Sequence, residues 1–217
     1  MSRGPGRGRF ITFEGGEGAG KSTQIRLLAA RLTELGLDVH VTREPGGTEG
    51  AERIRKLLVE GEVGAWTPMT EALLHYAARR EHVARVIEPA LAAGTWVLSD
   101  RFADSTRAYQ GWGHGLGVAA IDRLHRLALG SFRPDLTLIL DLPIGMGLAR
   151  AAERRGAETR YERMALAFHA RVRRGFRAIA RAEKRRCAIV DARADVASVA
   201  ARIRRLVETR LARALPP

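Results

Sequence analysis

Gly15-Gly16-Glu17-Gly18-Ala19-Gly20-Lys21-Ser22 is the stretch that decides how this chain is read. It fulfils the pattern G-x-x-x-x-G-K-[ST], a loop whose backbone N–H groups cradle phosphates while the lysine reaches across them. Lysine is scarce here: of 37 Lys and Arg residues, only Lys21, Lys56 and Lys184 are lysine. A compact ammonium on a flexible stem suits a curled phosphate loop better than a planar guanidinium does. The motif predicts a nucleoside triphosphate held by residues 15–22 and the following Thr23, with the Ser22 hydroxyl on Mg2+.

The flanks supply the context that the loop needs. Phe10-Ile11-Thr12-Phe13 is a β-rich run entering it, and Ile25, Leu27, Leu28, Leu32 and Leu35 recur at helical spacing after it. The loop amides and the positive end of that helix would then converge on phosphate. Further along, short apolar runs alternate with long amphipathic ones. Strands are expected at 10–14, 39–43, 96–100, 136–141 and 187–191. Helices are expected at 21–35, 51–60, 67–93, 118–129, 146–155, 161–182 and 196–215. This alternation predicts an α/β fold with a parallel sheet between helices, and Thr67-Pro68 reads as a helix N-cap followed by its first residue. Three strands end in Arg43, Asp100 and Asp141, and ligands of open α/β sheets lie outside such carboxyl ends.

A length of 217 residues suits one domain, expected over 9–217 behind a flexible basic tail at 1–8. The tail has no apolar segment behind it, so it is not read as a signal peptide, and no run is long enough to span a membrane. Cys187 is the single cysteine, which excludes an intrachain disulfide and fits a cytoplasmic location. The six histidines show no ligand spacing. A net charge of +13 is compatible with nucleic acid or with polyanionic small substrates. Its arginines are interleaved with acids and form no compact tract, which weighs against nucleic acid.

Three constellations narrow the substrate. Thr42-Arg43-Glu44-Pro45-Gly46-Gly47-Thr48 is a tight turn that brings backbone near a ligand, with Arg43 able to fork onto a phosphate or simply to remain solvated. Asp100-Arg101 pairs a carboxylate that can hold Mg2+ with a guanidinium for phosphate, or forms an ordinary surface ion pair. Arg150, Arg154, Arg155 and Arg160 flank Gly156, as in a mobile lid at about 150–162, or as in a solvated connection between helices. The Asn-Lys-x-Asp motif of GTPases is absent.

Phe13–Gln24, Thr42–Thr48, Asp100-Arg101-Phe102 running on to Ser105, Ala108-Tyr109-Gln110-Gly111, Tyr76–Arg79 and Phe132–Thr137 together resemble the bacterial thymidylate kinases. The resemblance implies a P-loop three-layer sandwich with a five-stranded parallel sheet and an arginine-rich lid. It implies transfer of phosphate from ATP to dTMP, giving dTDP, with Mg2+, in a cytoplasmic homodimer. The alternatives are a kinase for another nucleoside monophosphate or a deoxynucleoside, or a P-loop nucleic-acid-binding ATPase.

Residue by residue, the resemblance places Glu17 at the deoxyribose and monophosphate side of the site, and Arg43 and Arg101 on the acceptor phosphate. It places Ser22 and Asp100 at the metal, Arg79 on the thymine base, and Ser105, Tyr109 and Gln110 along the thymidine pocket. Lys21 and the lid residues Arg150, Arg155 and Arg160 are expected to neutralise the transferring phosphoryl, because Gly18 offers no side chain where some relatives carry arginine. His75 departs from the family, which usually has phenylalanine stacked on thymine there. An imidazole titrating near ~6.5 is expected to stack on the base and to lose affinity as pH falls from about 7.5 to 5.5.

Overall fold

A computed structural model describes residues 6–60, 62–153, 160–212 and 215. Five strands form one parallel sheet: β1 (Phe10–Gly15), β2 (Val39–Arg43), β3 (Trp96–Asp100), β4 (Leu136–Asp141) and β5 (Cys187–Asp191), in the order β2-β3-β1-β4-β5. The strand carrying the phosphate loop is therefore central. Its side chains alternate between faces, as a strand's must. Ile11 and Phe13 pack with Ile25, Leu28 and Leu32 of α1 (Lys21–Glu34) and with Val199, Ile203 and Val207 of α9 (Val196–Leu211). Phe10 faces the opposite layer, with Tyr76 of α3 (Pro68–His82) and Ile121 of α6 (Val118–Leu129). In that layer α8 (Leu166–Ala182) covers Ile139 and Cys187 with Phe168, Val172 and Phe176.

The remaining helices are α2 (Glu49–Val59), α4 (Glu88–Ala92), α5 (Ala103–Thr106) and α7 (Ile144–Ala152). The helix expected at 67–93 is one rod with a π turn at Val83–Ile87 joining α3 to α4. Pro89 lies just beyond that turn and cannot donate the usual i→i−4 bond, so a wide turn is a natural accommodation. Thr67 caps α3, its hydroxyl accepting from the Thr70 amide at 3.3 Å, with Pro68 at the first position.

Four expectations need correction. The stretch from α5 through the π-helical segment Arg107–Gly113 was not expected to be helical. Every residue of 103–111 is buried, so no polar face produces a helical period. The last expected helices are shorter: α8 begins at Leu166, five residues late, and α9 ends at Leu211. The expected tail also ends sooner. Gly8 is buried and donates its amide to Leu91 O at 2.8 Å, while Arg7 and Arg9 both reach Asp135. Finally α7 ends at Ala152, and Arg154 and Arg155 lie outside the described residues.

Candidate active site

β1 runs straight into the phosphate loop, and α1 starts at Lys21. This aims the loop amides and the positive end of α1 at one spot. Gly18 has φ 65°, and a Cβ there would meet Gly147 O at 1.9 Å. Gly147 is as constrained: a Cβ on it would meet Glu17 O at 2.4 Å. The loop and the first turn of α7 thus pack backbone on backbone, and a side chain at position 18 is excluded by contact. Lys21 is buried, with Nζ donating to Gly16 O at 3.2 Å across the loop. Burial and then Arg101 push its pKa down, against the carboxylates of Asp100, Glu17 and Glu14.

The ends of β2 and β3 meet the loop from the side. Register pairs Arg43 with Asp100 and Phe13 with Asp100. Ser22 Oγ donates to Asp100 Oδ2 at 2.8 Å, so the two expected metal ligands are neighbours. A hydroxyl and a carboxylate are hard oxygen donors of the kind Mg2+ takes, one or two from protein and the rest from phosphate and water. Among the described residues there is no cluster of three or more His, Cys, Asp or Glu that could hold an ion.

Arg101 occupies the left-handed region at φ 71° and donates to Gly15 O, Ser105 Oγ and Glu17 Oε1 at 3.0, 3.1 and 2.9 Å. Its guanidinium lies 4.9 Å from the Tyr109 ring centre. Tyr109 donates its hydroxyl to the same Glu17 oxygen at 2.7 Å. Burial works against the Glu17 charge, but Arg101, Lys21 and the Tyr109 hydroxyl outweigh it and hold the carboxyl at about 2. Arg43 sits at the rim, 54% exposed, with Nη2 at 3.0 and 3.1 Å from the two Glu52 oxygens.

One cavity of about 680 Å³ gathers these groups. Its lining includes residues 17–23 of the loop, Arg43, His75, Asp100, Arg101, Ser105, Tyr109, Gln110 and Arg150. Gly15 and Gly16 of the loop lie outside this lining. Arg150 enters from the last turn of α7. Arg79 is buried behind the wall, donating to Glu44 Oε2 (2.7 Å), Phe102 O (3.1 Å) and Thr106 Oγ1 (3.2 Å). Its Nη1 is buried without a hydrogen-bond partner.

Two sequence expectations fare differently. Arg160 does not face the phosphate loop. It is 3% exposed, donating to Leu58 O, Glu62 O and Glu71 Oε2 at 2.9, 3.1 and 2.6 Å. Each of its three side-chain nitrogens is engaged by the α2–α3 region, and its guanidinium neutralises the buried Glu71 charge. His75 lines the cavity as expected, with Nε2 at 3.0 Å from Tyr161 OH. Its pKa, however, is pushed down to about 4, by burial first and then by Arg79. A ring with that pKa is neutral between pH 5.5 and 7.5, which argues against the pH dependence expected there from the sequence.

Sequence reasoning gave no role to Glu14, Glu44, Glu71 or Tyr161. Glu14, the penultimate residue of β1, is fully buried, accepting from the Phe102 amide (2.8 Å) and Ser105 Oγ (2.5 Å). Burial and Asp104 raise it to about 8, so it is protonated near neutral pH. Glu44 clamps the turn after β2 to α3 through Arg79 and His82 Nδ1 (3.1 Å). The one available signal was an acid inside an otherwise apolar or glycine-rich motif.

A central phosphate loop, a carboxylate beside its hydroxyl, and arginines around the same cavity define a P-loop phosphotransferase. Residues 13–203 match the family model described as thymidylate kinase. The thymidylate kinase of Caulobacter vibrioides is 58% identical over 205 residues, covering 94% of this chain and 98% of that protein. That of Afipia carboxidovorans is 54% identical over 214 residues, covering 98% and 94%. A crystal structure of thymidylate kinase from Ehrlichia chaffeensis superposes with a TM-score of 0.75 at 35% identity, covering 94% of this chain and 99% of that one. The chain belongs to the thymidylate kinase family, whose reaction is the ATP-dependent phosphorylation of dTMP. The comparisons lend no support to a different kinase or to a nucleic-acid-binding ATPase.

Proposed function

We propose that the cavity holds ATP across the phosphate loop and dTMP against α3 and the 103–113 segment, and that the γ-phosphoryl passes between them in line. An oxygen of the dTMP phosphate bonds to the γ-phosphorus as its bond to the bridging oxygen breaks, giving dTDP and ADP. The acceptor phosphate is already nucleophilic, so no strong general base is required; positioning and charge neutralisation carry the rate. The observation behind this reading is the convergence of Lys21, Arg43, Asp100, Arg101 and the 105–110 wall in one chamber.

Lys21 bridges the donor phosphates, and Arg43 and Arg101 hold the acceptor phosphate. Glu17, kept charged and tied to Tyr109, faces the sugar side. Arg150, in the last turn of α7, meets the donor phosphates, and Arg155, outside the described residues, takes its charge-neutralising role from the resemblance alone. Ser22 and Asp100 would hold Mg2+, which when bound neutralises charge on the donor phosphates. Arg79 and Gln110 read the base, with His75 against its face.

The test is a coupled ADP-release assay with dTMP, dUMP, dCMP, dGMP, dAMP and UMP, with and without Mg2+. dTMP should lead and metal should be required; a higher kcat/KM for either purine monophosphate would overturn the reading. The resemblance also implies a cytoplasmic homodimer, for which sedimentation velocity should give twice the 23.8 kDa chain mass. Among the described residues no helix is long and apolar enough to cross a membrane.

A further inference from the structure

Glu71, in the first turn of α3, is wholly buried. Its Oε1 accepts from Gln110 Nε2 at 2.7 Å and from Tyr161 OH at 2.6 Å, with His114 Nε2 3.6 Å away; Oε2 accepts from Arg160 Nη2 at 2.6 Å. Burial alone would favour the neutral acid. His114, Tyr161 and Arg160 outweigh it and hold the carboxyl well below the usual carboxylate range. A carboxylate has no proton and can only accept.

This restricts Gln110. Its amide can face Glu71 only with the NH2 end, since the reverse orientation would set a carbonyl oxygen against a carboxylate. The other end, Oε1, is buried without a partner, in a residue that lines the cavity. Arg79 Nη1 is the complementary case, a buried donor without a partner. A buried polar group left unpaired is costly, so such groups fit a site built to meet a ligand. The free Gln110 acceptor, in a residue of the cavity lining, matches the N3–H donor of a pyrimidine imide, whose adjacent carbonyl would take the Arg79 donor that lies behind the wall. Cytosine offers the reverse, a bare N3 beside an amino group.

We propose that Glu71 is a positioning residue that fixes the polarity of the Gln110 amide and so makes the base site select an imide, thymine or uracil, over cytosine. The inference rests on the reading that Gln110 and Arg79 face the base. A brace that merely held Arg160 to α3 would affect all nucleotides alike. A polarity lock affects their ratio.

The experiment measures kcat and KM for dTMP, dUMP and dCMP with the wild type, Gln110→Ala, Glu71→Gln and Glu71→Asp. Gln110→Ala should raise the dTMP KM at least tenfold; an unchanged KM would sink the base-site reading, and this inference with it. In Glu71→Gln the neutral amide can pair with either end of Gln110. The dTMP-to-dCMP ratio of kcat/KM should then narrow at least tenfold, mostly through KM, with the dTMP-to-dUMP ratio kept. Glu71→Asp, which restores the charge, should recover the wild-type dTMP-to-dCMP ratio within a few-fold. If Gln110→Ala weakens dTMP while Glu71→Gln keeps the wild-type dTMP-to-dCMP ratio, Glu71 is a brace only and the proposal is wrong. Should Glu71→Gln not fold, NMR of the 15N-labelled wild type decides. The Gln110 NH2 protons should be protected from exchange both before and after dTMP is added, and rapid exchange of both would overturn the assignment.

Discussion

Arg101 and Glu17 are bound to one another at 2.9 Å, and the arginine does this from a left-handed backbone, φ 71°, the single non-glycine residue with positive φ among those described. The conformation is held from both sides: the Arg101 amide donates to Phe13 O at 2.9 Å, and its carbonyl accepts from Ser99 Oγ at 2.8 Å. It turns the guanidinium back over the phosphate loop instead of onward along the chain. An L-residue in this region costs about 1–2 kcal/mol, here offset by three side-chain bonds and the Tyr109 ring. Arg101→Ala and Arg101→Gly should both lose about 10²–10³-fold in kcat/KM for dTMP. Urea unfolding should find the glycine variant the more stable by about 1 kcal/mol; equal stabilities would show that the backbone is not strained.

Lys21 is the compact cation that the loop was read to need. Lys21→Ala should lower kcat by at least 10²-fold. Lys21→Arg should rescue little, since the side chain is buried under the loop and the planar head is larger. Steady-state kinetics with saturating ATP checks both, and an arginine enzyme as fast as the wild type would contradict the reading.

Arg160 and Arg155 should separate cleanly. Arg160→Ala strips the buried Glu71 of its cation, and breaking such a pair costs roughly 3–5 kcal/mol. For a chain of this size that amounts to a fall in Tm of roughly 6–20 °C. Arg155→Ala should leave Tm unchanged and cut kcat at least ~10²-fold, in the manner of lost arginine fingers. Calorimetry beside single-turnover kinetics would distinguish the two. A kcat unaffected by Arg155→Ala would show that the stretch is only a connection.

His75 and His125 are both pushed down to about 4, by burial first and then by arginines, Arg79 at His75 and Arg133 at His125. Unfolded, each would titrate near ~6.5. The unfolded chain therefore takes up protons that the folded one refuses. The stability these groups contribute is complete above about pH 6.5 and falls as pH drops from there through about 4. The KM for dTMP should be flat between pH 5.5 and 7.5 with respect to His75. His75→Phe should tighten dTMP by about 0.5–1 kcal/mol through ring contact, by the same amount at every pH in that window. A gain that appears only at the acidic end would show that His75 is charged there after all.

Much of this architecture could be read in one dimension because local forces write it locally. The phosphate loop is a contiguous pattern, and the strands from Val39, Trp96, Leu136 and Cys187 start and stop where the apolar runs do. The family-bearing motifs likewise sit at strand ends, where an open sheet places its ligands. The tertiary structure decided what depends on partners far apart in sequence. Strand order is set by which apolar faces can be covered together, and no strand carries that information alone. The 103–113 helix escaped notice because residues 103–111 are all buried, which removes the periodicity that reveals amphipathic helices. Arg160 was read as a lid finger because its neighbours in sequence are arginines. Its true partner, Glu71, lies 89 residues away, and burial of that carboxylate in a low-dielectric interior demands the cation more strongly than an exposed loop does. His75 is lowered by its own burial and by Arg79, and Gln110 turns its NH2 end to the buried Glu71. Charge state and hydrogen-bond polarity are properties of an environment, and the environment exists only once the chain has folded.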